Sequence, residues 1–251
     1  MIIDTHAPTR PAQFVLRTSG GDVLTTFYCD LFGWTLKGED TFVLQGRTVA
    51  RMEHSKGGWL PYLAVADLTV ALEKATRSGA VTLDGPSDGP LGRSAVILDG
   101  GGAPLGLWQS GSGSGVGLIA EHGAVVWIEE KTRNQEVATA FLQTLFGFEL
   151  LGASGPGAVR LLKGEGPFFG GVMQFDDRWT SDEPPHWLLY FQSSAVPAIV
   201  ERAIALGGSL WFPLMDTPLG QMAYIRDPEG NAFAVVEVSE QGRTMTGSRS
   251  A

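Results

Sequence analysis

The 251-residue sequence is poor in the residues on which several common classes of protein depend. Its single cysteine, Cys29, cannot form an internal disulfide, which is typical of a protein of the reducing cytosol. With 18 basic against 27 acidic residues, the chain lacks the basic surface that binds nucleic acid or an anionic membrane. No apolar run could span a bilayer, and residues 1–11 do not resemble a signal peptide, so we expect a cytoplasmic protein.

Glycine is abundant instead, with 34 residues, and it marks the division of the chain. Ser110–Gly117 reads Ser-Gly-Ser-Gly-Ser-Gly-Val-Gly, which is typical of a flexible linker. The rest of the chain is long enough for two modest domains. We predict an N-terminal arm (1–11), a first domain (12–110), the linker (111–120), a second domain (121–239) and a disordered tail (240–251).

Two stretches of the second half repeat stretches of the first. Phe141–Leu150 matches Phe27–Leu36 at five of ten positions, at an offset of 114 residues. Gly220–Glu237 echoes Gly92–Gln109 at an offset of 128 residues. Two matches in the same order along the chain indicate a duplicated unit.

The hydrophobic pattern predicts the same elements around each repeat. Apolar residues recur at helical spacing between 23 and 32, and Gly33 ends that helix. Short apolar strands precede and follow it, which gives a β-α-β-β-β module. The sheet of one module has an apolar face that it cannot bury alone, so two modules would combine around a cleft. We predict an α+β fold of four βαβββ modules, paired into two domains.

The repeated motifs carry a family resemblance. Phe-Tyr-x-x-Leu-Phe-Gly-Trp, at 27–34, and Asp227-Pro-Glu-Gly-Asn231 resemble motifs of the vicinal oxygen chelate superfamily. Its members include glyoxalase I, extradiol dioxygenases, fosfomycin resistance enzymes and bleomycin-binding proteins, and the chain is similar to two-domain actinobacterial members. The resemblance covers about residues 12–240. It implies two half-open barrels, each with a ligand on its inner face.

The resemblance also implies where a metal would bind. In metal-dependent members, His, Glu or Gln ligands come from the first and last strands of both modules. The matching positions here hold Gln13, Gln109 and Glu237. Neutral amides are weak ligands for a transition metal, and no set of two His and one carboxylate matches these positions. We expect the degenerate positions to be without metal, with a divalent metal as the alternative.

Two carboxylates are candidates for acid/base catalysis. Glu237 ends an apolar strand, where a carboxylate is costly unless it is paired. It could be a general base in the cleft, an ion-pair partner of Arg160 or Arg226, or a solvent-exposed group. Glu53, near the end of a strand of the first module, is the second candidate.

Aromatic residues on or beside the strands are the other signal. The candidates for ligand binding are Trp59, Trp108, Trp127, Trp187 and Tyr190. They could pack between helix and sheet, or they could line a cleft for a planar ligand. Trp127 occupies the position of a first-strand metal ligand, which favours the cleft.

These observations predict a glyoxalase/bleomycin-resistance-like protein that binds a small hydrophobic or aromatic metabolite, without a metal. Acid/base catalysis in secondary metabolism, of a lyase or hydroxylase-like kind, is compatible with this prediction. The alternatives are a metal-dependent lyase, isomerase or dioxygenase, and a resistance protein that sequesters a drug. Bleomycin-binding relatives take a cationic ligand, which the net charge of −9 would suit. We expect a small-molecule ligand as the partner, and a monomer or homodimer.

Overall fold

The computed structural model of the protein describes residues 1–111 and 115–247. The first half contains eight strands and two helices. They are β1 (Pro11–Thr18), α1 (Gly21–Phe32), β2 (Thr35–Lys37), β3 (Thr41–Leu44), β4 (Arg47–His54), β5 (Gly58–Ala64), α2 (Leu68–Arg77), β6 (Val81–Gly89), β7 (Gly92–Leu98) and β8 (Pro104–Ser110).

The second half repeats this order of elements and adds a short helix at its end. Its elements are β9 (Val125–Thr132), α3 (Gln135–Phe146), β10 (Glu149–Leu151), β11 (Val159–Lys163), β12 (Gly170–Gln174), β13 (His186–Gln192), α4 (Val196–Ala205), β14 (Ser209–Thr217), β15 (Gly220–Arg226), β16 (Ala232–Val238) and α5 (Glu240–Thr246).

Each half forms one eight-stranded sheet. The strand orders are β2-β3-β4-β1-β5-β8-β7-β6 and β10-β11-β12-β9-β13-β16-β15-β14, which correspond strand for strand. In each sheet the first strands of two modules lie antiparallel at the centre, β1 with β5 and β9 with β13. Neither sheet closes into a barrel. The predicted α+β fold of four modules in two half-open domains is confirmed.

The Phe-Gly motif that revealed the duplication has the same local role in both halves. Gly33 and Gly147 follow α1 and α3 in the left-handed conformation, with φ of 70° and 74°. Each donates its N–H to a carbonyl of the last helical turn, a helix end that favours glycine. Both helices therefore end at the same point relative to the sheet.

The helix-side faces of the two sheets share one hydrophobic core. Its buried residues come from α1, β1 and β5 of the first domain and from α3, β9 and β13 of the second. The ring of Phe191 lies 4.9 Å from that of Phe32 and 5.4 Å from that of Trp59, centroid to centroid. The two domains thus pack back to back, and the inner face of each sheet points away from the core.

Two aspartates at equivalent turns tie the domains together. In the first domain, Trp59 Nε1 donates to Tyr28 Oη at 2.8 Å, and Tyr28 Oη donates to Asp227 Oδ2 of the second domain at 2.9 Å. In the second domain, Trp187 Nε1 lies 3.4 Å from Asp99 Oδ2 of the first. The repeated turn therefore also serves as a polar contact across the domain interface.

The described parts of the N-terminal arm and of the linker make hydrogen bonds to each other and to the first domain. In the arm 1–11, the backbone N–H of Ile3 donates to Gly117 O at 3.0 Å. Val116 N donates to Ala12 O at 2.8 Å, so the described part of the linker 111–120 packs on the first domain. Residues 112–114 of the linker and 248–251 of the predicted tail lie outside the described residues.

The expected tail at 240–251 begins with a helix. Ser239 accepts a hydrogen bond from Gly242 N at 2.9 Å, and this N-terminal cap starts α5. Gly247, at a φ of 69°, ends the helix. Within the described ranges, no helix has the length and apolar character needed to cross a membrane.

A second carboxylate lies buried beside Asp99 at the interface. Glu130, on the helix side of β9, is fully buried, and neither side-chain oxygen has a hydrogen-bond partner among the described atoms. Burial raises the pKa of Asp99 to about 6. Burial, with a smaller effect from Asp99, raises the pKa of Glu130 well above its ordinary value. These two carboxyls therefore bind more protons in the folded protein than in the unfolded chain. Burial also lowers the pKa of His186 to about 4, so this imidazole binds fewer protons in the folded protein.

We expect the two carboxyls to lower the free energy of unfolding as the pH rises from about 4 through 6 and above, because their raised pKa values favour the protonated folded state. The lowered pKa of His186 acts in the opposite direction below pH 6.5, so the fall should be clearest above that pH. Glu130→Gln should flatten this fall and raise the free energy of unfolding at pH 8 by about 1–3 kcal/mol. Urea unfolding at several pH values measures both effects, with exposed Glu149→Gln as the control. An unchanged pH dependence in Glu130→Gln would contradict this account.

Candidate functional site

The inner face of the second sheet contains a cavity of about 540 Å³. Its walls come from strands β9, β11 to β15 and from α5, and they are mostly apolar, with four methionines (Met173, Met215, Met222 and Met245). At its floor lie a tryptophan, a carboxylate and two tyrosines (Trp127, Glu129, Tyr190 and Tyr224). An apolar cavity with a few convergent polar groups is the usual form of a small-molecule site.

The alternation of β9 brings the polar groups into the cavity. Trp127, Glu129 and Lys131 share the inner face, while Ile128 and Glu130 point toward the helix-side core. All eight residues of β9 are buried, because the strand lies between β12 and β13 in the middle of the sheet. A charged residue on this strand therefore needs a partner inside the protein.

Glu129, Lys131, Tyr190 and Tyr224 form a hydrogen-bonded group that we call the polar cluster. Lys131 Nζ donates to Glu129 Oε1, to Tyr190 Oη at 3.1 Å and to Tyr224 Oη at 3.2 Å. Tyr190 Oη donates to Glu129 Oε1 at 3.2 Å and lies 3.1 Å from Tyr224 Oη. Trp127 Nε1 donates to Glu129 Oε2 at 3.2 Å. Three strands thus contribute to one network.

The polar cluster contains a buried ion pair. Burial by itself lowers the pKa of Lys131, but the charge of Glu129 and the contact with Tyr224 outweigh it, so that the pKa is raised. Burial, and then the charge of Glu129, raise the pKa of Tyr190 well above its ordinary value. Lys131 is therefore a cation and Tyr190 a neutral phenol at neutral pH. Lys131 has no exposed surface and lies behind the groups that line the cavity.

The first domain does not repeat the polar cluster. At the two offsets, Glu129 corresponds to Val15, Lys131 to Arg17 and Tyr224 to Val96, and Tyr190 alone keeps its identity, as Tyr62. The inner face of the first sheet is instead a small apolar group that includes Val15, Tyr62, Val96 and Trp108. The ring of His6, from the N-terminal arm, lies edge-on to Trp108 at 5.5 Å.

The structure separates the five aromatic candidates into three places. Trp127 and Tyr190 come together at the floor of the cavity in the second domain, which we call the second cleft. Trp59 and Trp187 lie in the helix-side core, and Trp108 lies on the inner face of the first sheet. The offset that pairs Trp59 with Trp187 thus reflects equivalent core positions.

The candidate carboxylates and amides do not come together. Glu237 is exposed and alternates with Val236 and Val238, which face the second cleft. Glu53 is exposed beside Arg17, in the first domain.

The two glutamines lie apart as well. Gln13 is buried on β1, in the first domain. Gln109 accepts a hydrogen bond from Leu68 N at 2.9 Å and so caps α2 on the helix side. Gln13, Gln109 and Glu237 therefore do not share one cleft.

Sequence reasoning missed Glu129, Lys131 and Tyr224. A usable signal was present in β9, where three consecutive charged residues, Glu129, Glu130 and Lys131, follow an apolar run. A charge in a central strand costs free energy unless it is paired, so this pattern indicates a buried pair. Tyr224 carried no comparable signal, because it reaches the cluster from a strand 93 residues away.

The donor set at the cleft floor differs from that of a divalent-cation site. One carboxylate faces two phenols, and the ammonium of Lys131 already lies against Glu129 Oε1. In the described ranges, no three His, Cys, Asp or Glu side chains come close enough to hold a metal. Divalent cations are bound by several carboxylate, imidazole or thiolate ligands, and a neighbouring ammonium repels them.

Comparisons with known proteins agree with the fold. Residues 126–235 match the family model of the Glyoxalase/Bleomycin resistance protein/Dioxygenase superfamily. The anthracycline biosynthesis protein DnrV of Streptomyces peucetius is 30% identical over 268 residues, with 93% of this chain and 95% of that protein covered. CFP32 of Mycobacterium bovis is 29% identical over 248 residues, with 90% and 94% covered.

A solved structure extends the comparison. The Mn(II)-bound glyoxalase from Novosphingobium aromaticivorans superposes with a TM-score of 0.64 over 91% of this chain and 81% of its own, at 15% identity. At that identity the likeness concerns the fold alone. The superposition covers both domains, so the likeness includes their tandem arrangement.

The buried ion pair can be tested by a double-mutant cycle. Lys131→Met should lower the free energy of unfolding by about 3–5 kcal/mol, because it leaves Glu129 buried without its cation. Adding Glu129→Gln should recover part of the loss. Lys163→Met, at an exposed position of β11, is the matched control and should change the free energy by less than about 0.5 kcal/mol. Equal effects of the two lysine substitutions in urea unfolding would refute the pair.

Proposed function

Because the chain belongs to the Glyoxalase/Bleomycin resistance protein/Dioxygenase superfamily, we propose that its second cleft binds a small hydrophobic or aromatic metabolite and acts on it by acid/base chemistry. The observation that carries this proposal is the polar cluster at the floor of the apolar cavity. A binding surface alone does not need a buried ion pair, which costs desolvation.

The size and lining of the cavity support an aromatic ligand. A volume of about 540 Å³ lies within the usual range for a drug-sized molecule. Trp127 offers a ring for stacking, and the methionines Met215 and Met222 offer adaptable, polarisable walls. DnrV is named as an anthracycline biosynthesis protein, and this supports a planar polycyclic natural product as the ligand class and secondary metabolism as the setting.

Glu129 is the group that would move a proton. It lines the cavity, and its Oε2 accepts only the Trp127 N–H among the contacts of the described residues, so one acceptor direction stays open to a ligand. Lys131 and Tyr190 bind the other oxygen and fix the carboxylate in place. Glu129 would then take a proton from a ligand O–H or acidic C–H at Oε2.

A resistance protein that sequesters its ligand unchanged is the second candidate. The methionine-rich walls favour it, because such walls adapt to several ligands. Either function needs a small molecule as the partner and no other macromolecule. Each domain has its own inner face, so the cavity is complete in a monomer, and a homodimer would not be required to form it.

We also propose that the second cleft works without a metal. Purified, tag-free protein should contain no stoichiometric Zn, Fe, Mn or Ni by elemental mass spectrometry. A chelator should leave its melting temperature unchanged, because Lys131 supplies the positive charge beside Glu129. About one metal per chain, removed together with stability by the chelator, would overturn this proposal and favour the metal-dependent alternative.

A ligand screen tests the function itself. We expect calorimetric titration with planar hydroxyanthraquinones to show binding, with conversion of the bound compound followed by mass spectrometry. Glu129→Gln should slow conversion by about 10²–10⁴-fold and weaken binding by less than about tenfold, since a general base acts on the reaction more than on binding.

The exposed Glu149→Gln, in the same domain, is the control and should match the unaltered protein. Binding without conversion in any variant would favour sequestration. The absence of binding across the panel would rule out the aromatic ligand class.

A further inference from the structure

The hydroxyl protons of the polar cluster can be assigned by counting donors and acceptors. Lys131 has three N–H donors and four acceptors within reach: one oxygen each on Glu129, Tyr190 and Tyr224, and the sulfur of Met173 at 3.1 Å. A thioether sulfur is a weak acceptor, so we assign the three N–H groups to the three oxygens. Tyr190 has one O–H, which points to Glu129 Oε1 at 3.2 Å. Trp127 has one N–H, which points to Glu129 Oε2. These donors satisfy Tyr190 and leave Glu129 Oε2 one acceptor direction.

The O–H of Tyr224 is the remaining donor. Tyr190 Oη lies 3.1 Å away and can accept it, but Tyr190 Oη already accepts from Lys131. Tyr224 can therefore turn its proton toward a ligand without leaving a buried oxygen unsatisfied. Its own oxygen stays bound to Lys131, which fixes the phenol in place.

The position of Tyr224 lets a ligand reach it. Its side chain lines the cavity beside Met222 and is 5% exposed, whereas Lys131, directly behind it, has no exposed surface. Toward the rim, Thr217 and Asp216 are engaged elsewhere: Thr217 Oγ1 donates to Gly220 O at 2.9 Å, and Asp216 accepts from Gln221 at 3.3 Å. Arg178, which also lines the cavity, donates to Asp176 through Nε and Nη2. Among the four residues of the cavity floor, Tyr224 is therefore the one with a donor left for a ligand.

We infer that Tyr224 donates a hydrogen bond to a carbonyl oxygen of the ligand, so that the cleft selects aromatic ketones or quinones over aromatic hydrocarbons. Lys131 is a positioning residue: it occupies the other side of the Tyr224 oxygen and keeps the proton directed into the cavity. This inference rests on the proposed function, because it specifies the ligand of the same cleft. At the cavity floor the positive charge of Lys131 balances the negative charge of Glu129, so the floor suits an uncharged acceptor such as a carbonyl oxygen.

A pair of ligands that differ by one oxygen tests the inference. 9-Fluorenone and fluorene have nearly the same planar shape, but only fluorenone has a carbonyl. The unaltered protein should bind fluorenone about three- to tenfold more tightly, as one neutral hydrogen bond allows. Tyr224→Phe should reduce this preference to within about twofold. Met222→Leu, a neighbour on β15 that changes the wall and no donor, should affect both ligands equally.

Infrared spectroscopy of the bound fluorenone measures its carbonyl stretching frequency. This frequency would not change if Tyr224 only supported the structure of the cavity. The carbonyl stretch should lie at lower frequency in the unaltered protein and in Met222→Leu than in Tyr224→Phe. In Lys131→Met it should shift toward the Tyr224→Phe value, because the phenol would turn to Tyr190. Circular dichroism of each variant confirms that it is folded.

The outcomes separate the inference from the function on which it rests. If both ligands bind with equal affinity to the unaltered protein, or if Tyr224→Phe keeps the preference and the carbonyl frequency, the inference is overturned while aromatic binding stands. If neither these ligands nor the hydroxyanthraquinones bind, the proposed function fails first. Loss of both preference and frequency shift in Tyr224→Phe alone supports the inference.

Discussion

The burial of two sheet faces against one another determines where the two inner faces of this protein lie. The helix-side faces share one hydrophobic core, in which Phe32 of one domain contacts Phe191 of the other. Neither domain can bury that face alone, because a single curved sheet with two helices leaves part of it exposed. The inner faces are then left pointing outward, in opposite halves of the molecule. A ligand of the kind proposed would therefore contact the inner face of one sheet and not of both.

Some residues of the shared core keep their type across the duplication, and others do not. Trp59 corresponds to Trp187 and Asp99 to Asp227, all four in hydrogen bonds at the domain interface, whereas Leu16 corresponds to Glu130. A change at one of the four hydrogen-bonded residues would leave a cavity or an unpaired donor in a region shared by both domains. Positions on the inner faces lie outside this shared region. There Val15 of the first domain corresponds to Glu129 of the second, although Tyr62 corresponds to Tyr190. One cleft could become apolar while the other gained a buried ion pair.

Sequence reasoning found the parts of the structure that depend on local and repeated patterns. The Phe-Gly motif marked the ends of two helices, α1 at Gly33 and α3 at Gly147. Together with the second repeated stretch, it was enough to predict four modules in two domains. It also brought Trp127 and Tyr190 to attention, both of which line the cavity.

The rest of the site depends on facts that a linear pattern does not contain. The face to which a strand residue points is set by register, and a shift of one residue reverses it. Glu237 and Gln109 were assigned from the offset between the repeats, yet each lies one residue from the position that faces a cleft, held by Val236 and Trp108. The polar cluster adds a long-range element, since Tyr224 joins β9 only through the folded sheet.

The charge of the cleft floor bears on which ligand the protein can take. The net charge of −9 belongs to the whole surface and would attract a cationic drug from a distance. At the floor, however, the carboxylate of Glu129 is already paired with the ammonium of Lys131. A second cation there would meet the field of a buried ammonium at short range, where repulsion is poorly screened. For the ligand proposed above, this local pair would favour a neutral molecule that exchanges hydrogen bonds with Glu129 and Tyr224.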